Sequence, residues 1–357
     1  MKRRSRILIL ILLALVYVVI AVRTTKMSGP SVQGQFLSFS QAHPVSELPV
    51  SAKMMLPFAS GGHLGYIDPR AGLLYAQLSD GRVAIDGRGW ISYSRSAGPL
   101  ELHDLTKKSA EIQAFAYPWF KSSWRMLVRG DQMGIANIDA KGAILWQREF
   151  PVQITAIDAN SKRVVVGLLD GSIYVYDENG NRIVCSSQNL GGIRTVYGLA
   201  ISESGDNIVA VSGLSPQNIE TFKRENNAYV FAHASTLEKS SVLQASVALS
   251  ADGSHALIAR GSEVLYYSVK FNIARPLSLP RQSDAGPVAR GDPLYYALGA
   301  VGSREIAILR TSAEDLGESD VVLLKDGLFE REWAGGTGIA ANSNTFAVVF
   351  QDGVELR

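Results

Sequence analysis

Cysteine is almost absent from this sequence, since Cys185 is the one cysteine in 357 residues. A single thiol cannot form an internal disulfide, so the folded chain must rely on a large hydrophobic core instead of covalent cross-links. Zinc sites that need paired cysteines are excluded for the same reason. We predict that Cys185 is a small strand residue that is buried or half-buried.

Histidine is also scarce. The five histidines are spread along the chain without the spacing of metal ligands: His43, His63, His103, His233 and His255. The sequence contains neither a His-Glu-x-x-His motif nor the Gly-x-Ser-x-Gly turn of a serine nucleophile. Metal catalysis and Ser-His-Asp chemistry therefore have no support. We predict no catalytic residue, no metal site and no cofactor.

Two short patterns resemble ligand sites but are better explained as turns. Asp177, Asn179 and Asn181 alternate like calcium-loop ligands, yet a glycine lies between the second and third of them and no Glu follows at the twelfth position. The segment Gly335 to Gly338 has the composition of a phosphate-binding loop, but it has no Lys and leads into a strand instead of a helix. We interpret both as tight turns.

Excess positive charge is confined to the N-terminus. The whole chain has 35 basic and 33 acidic residues, and six of the basic ones lie in the first 26 positions. The remainder has 29 basic and 33 acidic residues, which is a net charge of −4. We therefore predict no nucleic-acid partner.

One long apolar run is present, from Ile7 to Val22, with four basic residues before it and Arg23 and Lys26 after it. Sixteen helical residues span about 24 Å, somewhat less than a hydrocarbon core of about 30 Å, but flanking Arg and Lys can snorkel. A cleaved signal peptide is the alternative to an uncleaved anchor. We favour a single-pass transmembrane helix whose N-terminus stays in the cytoplasm, because most of the positive charge precedes the run.

The domain organisation follows from this anchor. Residues 1–26 form the cytoplasmic basic segment and the membrane helix, residues 27–60 form a tether with a strand-like stretch near Phe36 to Ser40, and residues 61–357 form the folded body. The body is then on the periplasmic or extracellular side of the cell membrane. Its sequence consists of short runs rich in Val, Ile, Leu, Ala and Tyr, separated by Asp-Gly, Asn-Gly and Gly-Ser turns, which is typical of strands and hairpins.

A repeat runs through the body. Each copy has a small apolar residue in a strand, a polar turn and a second apolar strand, and the copies are spaced by 40 to 51 residues. The small residues are Gly65, Ala116, Ala156, Ala200, Ala248, Ala289 and Ala340. This period predicts an all-β fold, a β-propeller of about seven four-stranded antiparallel blades. We expect Phe36 to Ser40 to complete the last blade, because the chain ends after only three strands of it.

Two segments resemble the repeat of quinoprotein-type propellers. Asn137 to Trp146 has the Asp-containing turn followed by Gly, apolar residues and Trp, and Tyr174 to Ile183 is a second copy that lacks the Trp. At this level the chain is similar to the non-enzymatic propeller lipoproteins of outer-membrane barrel assembly and to WD40-type propellers. It has no Gly-His to Trp-Asp pairing, no lipid-bearing Cys and no vicinal cysteines of the kind that enzymatic quinoproteins use. The resemblance implies a propeller without a cofactor.

Two functions fit this sequence. The first is a membrane-anchored scaffold that binds a protein partner in the cell envelope. The second is a propeller enzyme, quinoprotein-like or of a hydrolase type, whose residues converge at the central channel. The missing motifs favour the first. A funnel with buried, convergent Asp, His or Arg side chains would indicate an enzyme, whereas a channel filled by Ala, Val and Ser would indicate a scaffold.

Two stretches are candidates for partner binding. The first is a long excursion between predicted strands, which contributes Pro216, Phe222, Lys223 and Arg224; a tolerated insertion is the alternative. The second is the aromatic pair Trp119 and Phe120, predicted to lie in a turn. That pair either packs on a neighbouring blade or contacts a partner.

Overall fold

The computed structural model describes residues 34–48, 55–60, 62–79, 81–93, 99–105, 108–185, 194–279, 293–301, 303–311, 319–341 and 345–357. The predicted membrane anchor and most of the tether before the first strand, residues 1–33, lie outside these ranges, as does the repeat position at Ala289. Among the described residues, no helix has the length and hydropathy that crossing a membrane requires. Residues Gln35–Leu356 form one compact unit of β-strands with two short 3₁₀ turns, Phe39–Gln41 and Val45–Glu47.

The strands group into blades, numbered here along the chain. The first strand, β1 (Gln35–Ser38), belongs to blade 8. Blade 1 has β2 (Leu56–Ser60), β3 (His63–Asp68) and β4 (Leu73–Leu78). Blade 2 has β5 (Arg82–Asp86), β6 (Gly89–Tyr93), β7 (Leu100–Asp104) and β8 (Lys108–Ile112). Blade 3 has β9 (Ala116–Lys121), β10 (Trp124–Arg129), β11 (Gly134–Ile138) and β12 (Ile144–Glu149). Blade 4 has β13 (Ile154–Ala159), β14 (Arg163–Leu168), β15 (Ile173–Asp177) and β16 (Arg182–Cys185).

The second half of the chain continues the pattern. Blade 5 has β17 (Val196–Ile201), β18 (Asn207–Ser212), β19 (Asn218–Glu225) and β20 (Ala228–Thr236). Blade 6 has β21 (Ser246–Leu249), β22 (His255–Arg260), β23 (Glu263–Ser268) and β24 (Ile273–Pro276). Blade 7 has β25 (Leu294–Ala300), β26 (Glu305–Thr311), β27 (Ser319–Lys325) and β28 (Leu328–Ala334). Blade 8 has β29 (Gly338–Ala341), β30 (Phe346–Val349) and β31 (Gly353–Leu356), with β1 as its fourth strand. The outer strands of blades 4 and 5, β16 and β20, also pair in parallel.

The described residues form eight blades, one more than the repeat spacing predicted. Anchors such as Ala156 and Ala200 do lie on first strands, but Gly65 lies on β3, the second strand of blade 1. The 51-residue interval between Gly65 and Ala116 therefore contains β4 and the whole of blade 2, residues 82–112. The predicted all-β propeller of mostly four-stranded antiparallel blades is confirmed.

Each blade packs against both of its neighbours. A separate hydrophobic core fills each of the eight junctions. Tyr66 and Trp90 lie in the core between blades 1 and 2, and Phe58 and Ala347 lie in the core between blades 8 and 1. Because the last blade packs on the first, the blades form a closed ring.

The ring is closed by strand pairing between the two ends of the folded chain. β1 pairs antiparallel with β31, from Gln35 opposite Leu356 to Ser38 opposite Gly353. The Phe39 N–H extends this ladder by donating to the Asp352 carbonyl at 2.9 Å. Blade 8 therefore combines one N-terminal strand with three C-terminal strands, and main-chain hydrogen bonds cover the edge that β31 would otherwise expose.

The two quinoprotein-like turns have the same geometry. In each, Asp Oδ1 accepts main-chain N–H bonds from the residues two and four positions later, at 2.8 and 2.8 Å for Asp139 and at 3.0 and 2.7 Å for Asp177. Gly180, with φ +74°, lies against the Trp146 ring of blade 3, so that a Cβ there would approach the ring to 2.7 Å. Trp146 Nε1 donates to the Glu178 carbonyl at 3.0 Å. The Asp177 carboxylate thus organises a turn on which the preceding blade packs.

A buried ion pair connects blades 2 and 3. The fully buried Arg125 donates from Nε and Nη2 to the two carboxylate oxygens of Asp86, at 2.8 and 2.7 Å. Arg88 Nη2 donates to the same carboxylate at 3.0 Å. Burial raises the pKa of Asp86, but the hydrogen bonds and charges of Arg125 and Arg88 outweigh burial and hold this pKa below its ordinary value.

We expect Asp86→Asn to lower the free energy of unfolding by about 3–5 kcal/mol at neutral pH, because Arg125 would stay buried without a carboxylate partner. A carboxyl whose folded pKa is depressed stabilises the protein above its unfolded pKa, and this contribution is lost as the pH falls through the folded pKa. The advantage of the wild type should therefore shrink below about pH 4. Urea unfolding of both proteins from neutral pH to below about pH 4 measures this difference in the free energy of unfolding. Glu238→Gln is the control, because Glu238 is exposed. A difference that is independent of pH would contradict the assignment.

Candidate protein-binding site

The upper face of the ring, defined as the end at which the first strands begin, is rigidly built. It consists of the turns between second and third strands and the connections between blades, and main-chain hydrogen bonds join the two sets. These bonds run from Gly130 N–H to Phe115 O at 2.9 Å, from Leu169 N–H to Gln153 O at 2.9 Å, from Gly213 N–H to Thr195 O at 3.1 Å and from Leu237 N–H to Gln217 O at 2.9 Å. Loops held in this way lose little further entropy when a partner binds.

The connection from blade 5 to blade 6, residues 237–245, is called the clamped loop here. Its middle is held by the buried Gln217 side chain, which bonds to both main-chain groups of Ser241: Nε2 donates to the carbonyl at 2.9 Å and Oε1 accepts the N–H at 3.1 Å. The Leu243 N–H donates to Ser241 Oγ at 3.2 Å, and the Ala245 N–H donates to the Tyr197 carbonyl at 2.8 Å. These four hydrogen bonds stabilise the loop in this conformation.

A buried charge holds the clamp itself in place. Arg260, at the end of β22, donates from Nη1 to Gln217 Oε1 and from Nε to Glu263 Oε2 at 2.7 Å. The side chain of Arg260 is 3% exposed and that of Glu263 is 36% exposed, so the ion pair runs from the interior to the surface. Hydrogen bonds to a charged partner are stronger than neutral ones, which makes Gln217 a rigid support.

The clamped loop presents two apolar side chains to solvent. Val242 is 71% exposed and Leu243 is 53% exposed. Leu243 lies over the turn of blade 6, where a Cβ on Gly261 would come within 2.8 Å of its Cδ1. Gln244 Nε2 reaches back to the Thr155 carbonyl of blade 4 at 3.0 Å. The loop thus contacts blades 4, 5 and 6 and holds an exposed apolar tip above them.

Neighbouring turns of the upper face add to this surface. Pro216 is exposed directly before Gln217, and Leu169, in the turn of blade 4, is 47% exposed. Beneath them Arg194 Nη2 donates to the buried Glu220 Oε1 at 3.1 Å, and Ser212 Oγ donates to the same oxygen. Apolar side chains on a platform of buried, paired charges are suited to protein binding.

The predicted long excursion is not a loop, and this prediction was wrong. Residues Asn218–Glu225 form β19, the third strand of blade 5, and the stretch predicted as the third strand is the fourth, β20. Phe222 is fully buried in the core between blades 4 and 5 and is not available to a partner. Lys223 and Arg224 are exposed at the other end of β19, on the face opposite Pro216. Of the four residues, Pro216 alone lies beside the clamped loop.

The aromatic pair Trp119 and Phe120 lies in β9, not in a turn, which corrects the predicted location. Adjacent strand residues point to opposite faces. Trp119 accordingly packs on the core between blades 3 and 4, and Phe120 packs on the core between blades 2 and 3, where the Arg125 guanidinium lies 5.3 Å from its ring centre. Both are half-buried, as the packing alternative requires.

Small side chains of the first strands are buried in the cores between neighbouring blades: Ala156, Ala200, Ala248 and Ala340. At the lower ends of blades 3 to 5, Lys121 Nζ donates to Asp158 Oδ1, and Asp158 Oδ2 accepts the Ile201 N–H at 2.8 Å. This carboxylate connects three blades through both of its oxygens. Through these bonds Asp158 stabilises the contacts between blades 3, 4 and 5.

Cys185 is a half-buried residue of β16. Burial raises the pKa of its thiol to about 12, and the nearby charge of Glu220 adds to the shift. The thiol is therefore protonated at neutral pH and is a poor nucleophile. None of the described His, Cys, Asp and Glu residues form a group of three or more able to hold a metal ion.

Comparison with known proteins identifies the fold. A family model described as beta-propeller protein matches residues 2–266. No curated protein sequence matches the chain. Among solved structures, BamB from Moraxella catarrhalis has a TM-score of 0.54 and 17% identity over 91% of this chain and 98% of that one. Hsv2 from Kluyveromyces lactis has a TM-score of 0.52 and 12% identity over 79% and 96% of the two chains. These identities show a shared fold.

We expect Gln217→Ala to loosen the clamped loop without unfolding the ring. Deuterium exchange should become at least about tenfold faster at the Ser241 amide, since losing a buried hydrogen bond of this kind costs about 1–3 kcal/mol. Gln217→Glu is the matched control, because a carboxylate still accepts from Arg260 and from the Ser241 N–H but cannot donate to the Ser241 carbonyl. The exchange rate of the Ser241 amide in Gln217→Glu should lie between the rates in the wild type and in Gln217→Ala. Unchanged exchange in Gln217→Ala would show that the clamp does not order the loop.

Proposed function

We propose that this chain, which belongs to the family of β-propeller proteins, is a protein-binding scaffold that works at the membrane, outside the cytoplasm. The propeller supplies a rigid body, and the clamped loop supplies the contact. The partner is a protein of the cell envelope whose surface has an apolar pocket for Val242 and Leu243.

The observation that carries this proposal is the exposed apolar tip on an immobilised loop. A few residues that fill well-packed pockets contribute most of the energy of a protein interface, and residues held rigidly before binding lose less entropy. Val242 and Leu243 are 71% and 53% exposed, and contact between apolar side chains and water is unfavourable unless a partner covers them. Buried Arg260 and Gln217 keep this tip in a fixed position.

Several features support a scaffold over an enzyme. Asp158, a buried carboxylate near the end of the first strand of blade 4, is held by Lys121 and by the Ile201 N–H. A catalytic carboxylate needs contact with a substrate, whereas this one is occupied by its own protein. The single cysteine supports the same choice, because the sequence lacks the vicinal cysteines that enzymatic quinoproteins use.

The membrane location rests on the N-terminal sequence. The apolar run Ile7 to Val22, flanked by more basic residues before than after it, fits a single-pass anchor with a cytoplasmic N-terminus. The ring begins at Gln35, so about a dozen residues separate it from the run. In extended form such a segment reaches at most about 40 Å, which keeps the scaffold near the membrane.

The double variant Val242→Ser, Leu243→Ser should lose its partner while keeping its stability. Cross-linking in native membranes followed by mass spectrometry should recover at least about tenfold less of the protein that the wild type retrieves, since fully burying one Val or Leu side chain contributes about 1.5–3 kcal/mol. Ile144→Ser, Leu145→Ser is the matched control, because this pair, at 59% and 60% exposed, lies on the outer strand of blade 3. Equal recovery by both double variants would refute the site.

Protease added to spheroplasts should digest the propeller and leave the first residues protected. This outcome follows from the charge bias across the apolar run. Antibodies against an N-terminal tag and against the C-terminus measure the two ends separately. Protection of both ends would place the propeller inside the cell and contradict the proposed orientation.

A further inference from the structure

The chain enters the ring at its lower face, defined as the end opposite the upper face, where the turns between third and fourth strands lie. β31 is the third strand of blade 8, so it ends at the lower face. β1 runs antiparallel to it, and Gln35 stands opposite Leu356, the last residue of β31. The segment that precedes Gln35 is therefore joined to the lower face.

The short sequence between the apolar run and the ring limits how the ring can face a membrane. Residues 23–34 reach at most about 40 Å when fully extended. A ring with its upper face toward the membrane would require this segment to pass along the height of a blade, which is about 20 Å for a six-residue strand. With the lower face toward the membrane, the segment needs no such path. The point of attachment therefore favours a lower face that is directed at the membrane.

Exposed apolar side chains border the lower face on several sides of the ring. Each of them lies at the lower end of the outermost described strand of its blade, or in the turn before that strand, and each is 59–74% exposed. We call these six residues the lower rim: Leu78 of blade 1, Ile144 and Leu145 of blade 3, Phe271 and Ile273 of blade 6, and Leu328 of blade 7.

The arrangement of the lower rim fits a flat surface better than a single protein partner. Blades 3 and 7 are opposite each other in a ring of eight, so Leu145 and Leu328 lie on opposite sides of the lower face. Three spacings of about 4.8 Å separate the first strand of a blade from the fourth, so these two residues are at least about 30 Å apart. A protein interface is usually one continuous patch of about 800 Å² on each partner. A bilayer surface is planar and can contact both sides of the ring at once.

Basic side chains accompany the lower rim on three blades. Lys141 and Lys325 each precede an apolar rim residue by three positions, and both are exposed. Lys270 directly precedes Phe271, and its Nζ lies 5.4 Å from the centre of that ring. Lysine next to exposed apolar residues is typical of segments that lie at a lipid surface, because the ammonium group can stay among anionic head groups while the apolar side chain enters the bilayer.

We propose that the lower face lies on the lipid surface of the bilayer that holds the N-terminal anchor. The lower rim enters the boundary between head groups and acyl chains, and the neighbouring lysines contact the head groups. The upper face and its clamped loop then point away from the membrane, toward the protein partner. This inference rests on the membrane location given under the proposed function, but it does not depend on the clamped loop.

The test uses the full chain in vesicles of phosphatidylethanolamine and phosphatidylglycerol, with Cys185→Ser as the background so that one new cysteine carries a fluorophore. Leu145→Cys and Leu328→Cys report on opposite sides of the lower rim, and Leu169→Cys and Val242→Cys are the upper-face controls. Brominated lipids should quench both lower-rim fluorophores at least about twofold, because apolar residues of interfacial segments reach about 5–10 Å into the boundary between head groups and acyl chains. The fluorophores on the upper face should keep their intensity.

Flotation of the vesicles separates this inference from the proposed function. A chain that does not float with the vesicles would refute the membrane location, and the inference would fall with it. A chain that floats but shows no quenching at the lower rim, quenching on one side of the ring only, or equal quenching on both faces would overturn the inference alone. Self-quenching between Leu328→Cys fluorophores that is independent of bromine would show a second copy on the lower face and would also overturn it.

Removing apolar rim residues should weaken the contact locally. Gly327 lies against the Tyr266 ring, so the lower turns of blades 6 and 7 are neighbours. In the chain labelled at Leu328→Cys, the added changes Phe271→Ser and Ile273→Ser should reduce quenching by brominated lipids at least about twofold, because less apolar surface is buried in the bilayer. Val242→Ser, Leu243→Ser is the matched control and should leave the quenching unchanged. The same quenching in both double variants would contradict the lower rim as the contact.

Discussion

The pairing of β1 with β31 is the interaction on which the rest of this structure depends. Every blade buries both of its faces against its neighbours, so an open row of blades would leave two apolar faces in water. Closing the row buries the core between blades 8 and 1, which includes Phe58 and Ala347. The four-residue ladder from Gln35 to Ser38 holds this last junction with main-chain hydrogen bonds between the two ends of the chain.

Closure has a consequence for function. The faces of the blades are buried against each other, so a partner can contact the turns, the connections between blades and the outer edges. Buried polar groups hold two parts of the protein in place. Arg260 and Gln217 hold the clamped loop, and Asp86 and Arg125 connect blades 2 and 3. Breaking such a contact is costly, because the remaining polar group stays buried without its partner, so the contact holds the local geometry. A scaffold needs a defined geometry.

Local signals in the sequence predicted the strands well. Asp-Gly turns such as Asp170–Gly171, the small residues at Ala156, Ala200 and Ala248, and the closing stretch near Phe36 all reflect backbone requirements that depend on neighbouring residues. Blade 2 has no copy of the predicted repeat, because it lies between the match at Gly65, on the second strand of blade 1, and the match at Ala116, on the first strand of blade 3. The count of blades therefore could not be read from the spacing alone.

Long-range polar contacts could not be predicted. The polar residues of β19 predict a loop, yet Glu220 and Thr221 are buried there, with Glu220 paired to Arg194 and Thr221 bonded to Tyr267 Oη at 2.8 Å. Gln217 bonds to Ser241 and to Arg260, which lie 24 and 43 positions away in the sequence. Sequence patterns reveal burial of apolar residues, but a buried polar residue is recognised only when its partner is known.

Ring closure can be measured most directly with two truncated proteins, one that lacks residues 1–34 and one that lacks residues 1–38. The first keeps β1 and should unfold in urea with the same stability as an otherwise identical chain that retains residues 27–34. The second loses the ladder to β31, and its free energy of unfolding should fall by at least about 2 kcal/mol, as expected for several main-chain hydrogen bonds and the packing beneath them. It should also aggregate through the exposed edge of β31. Equal stability of the two truncated proteins would contradict closure by β1.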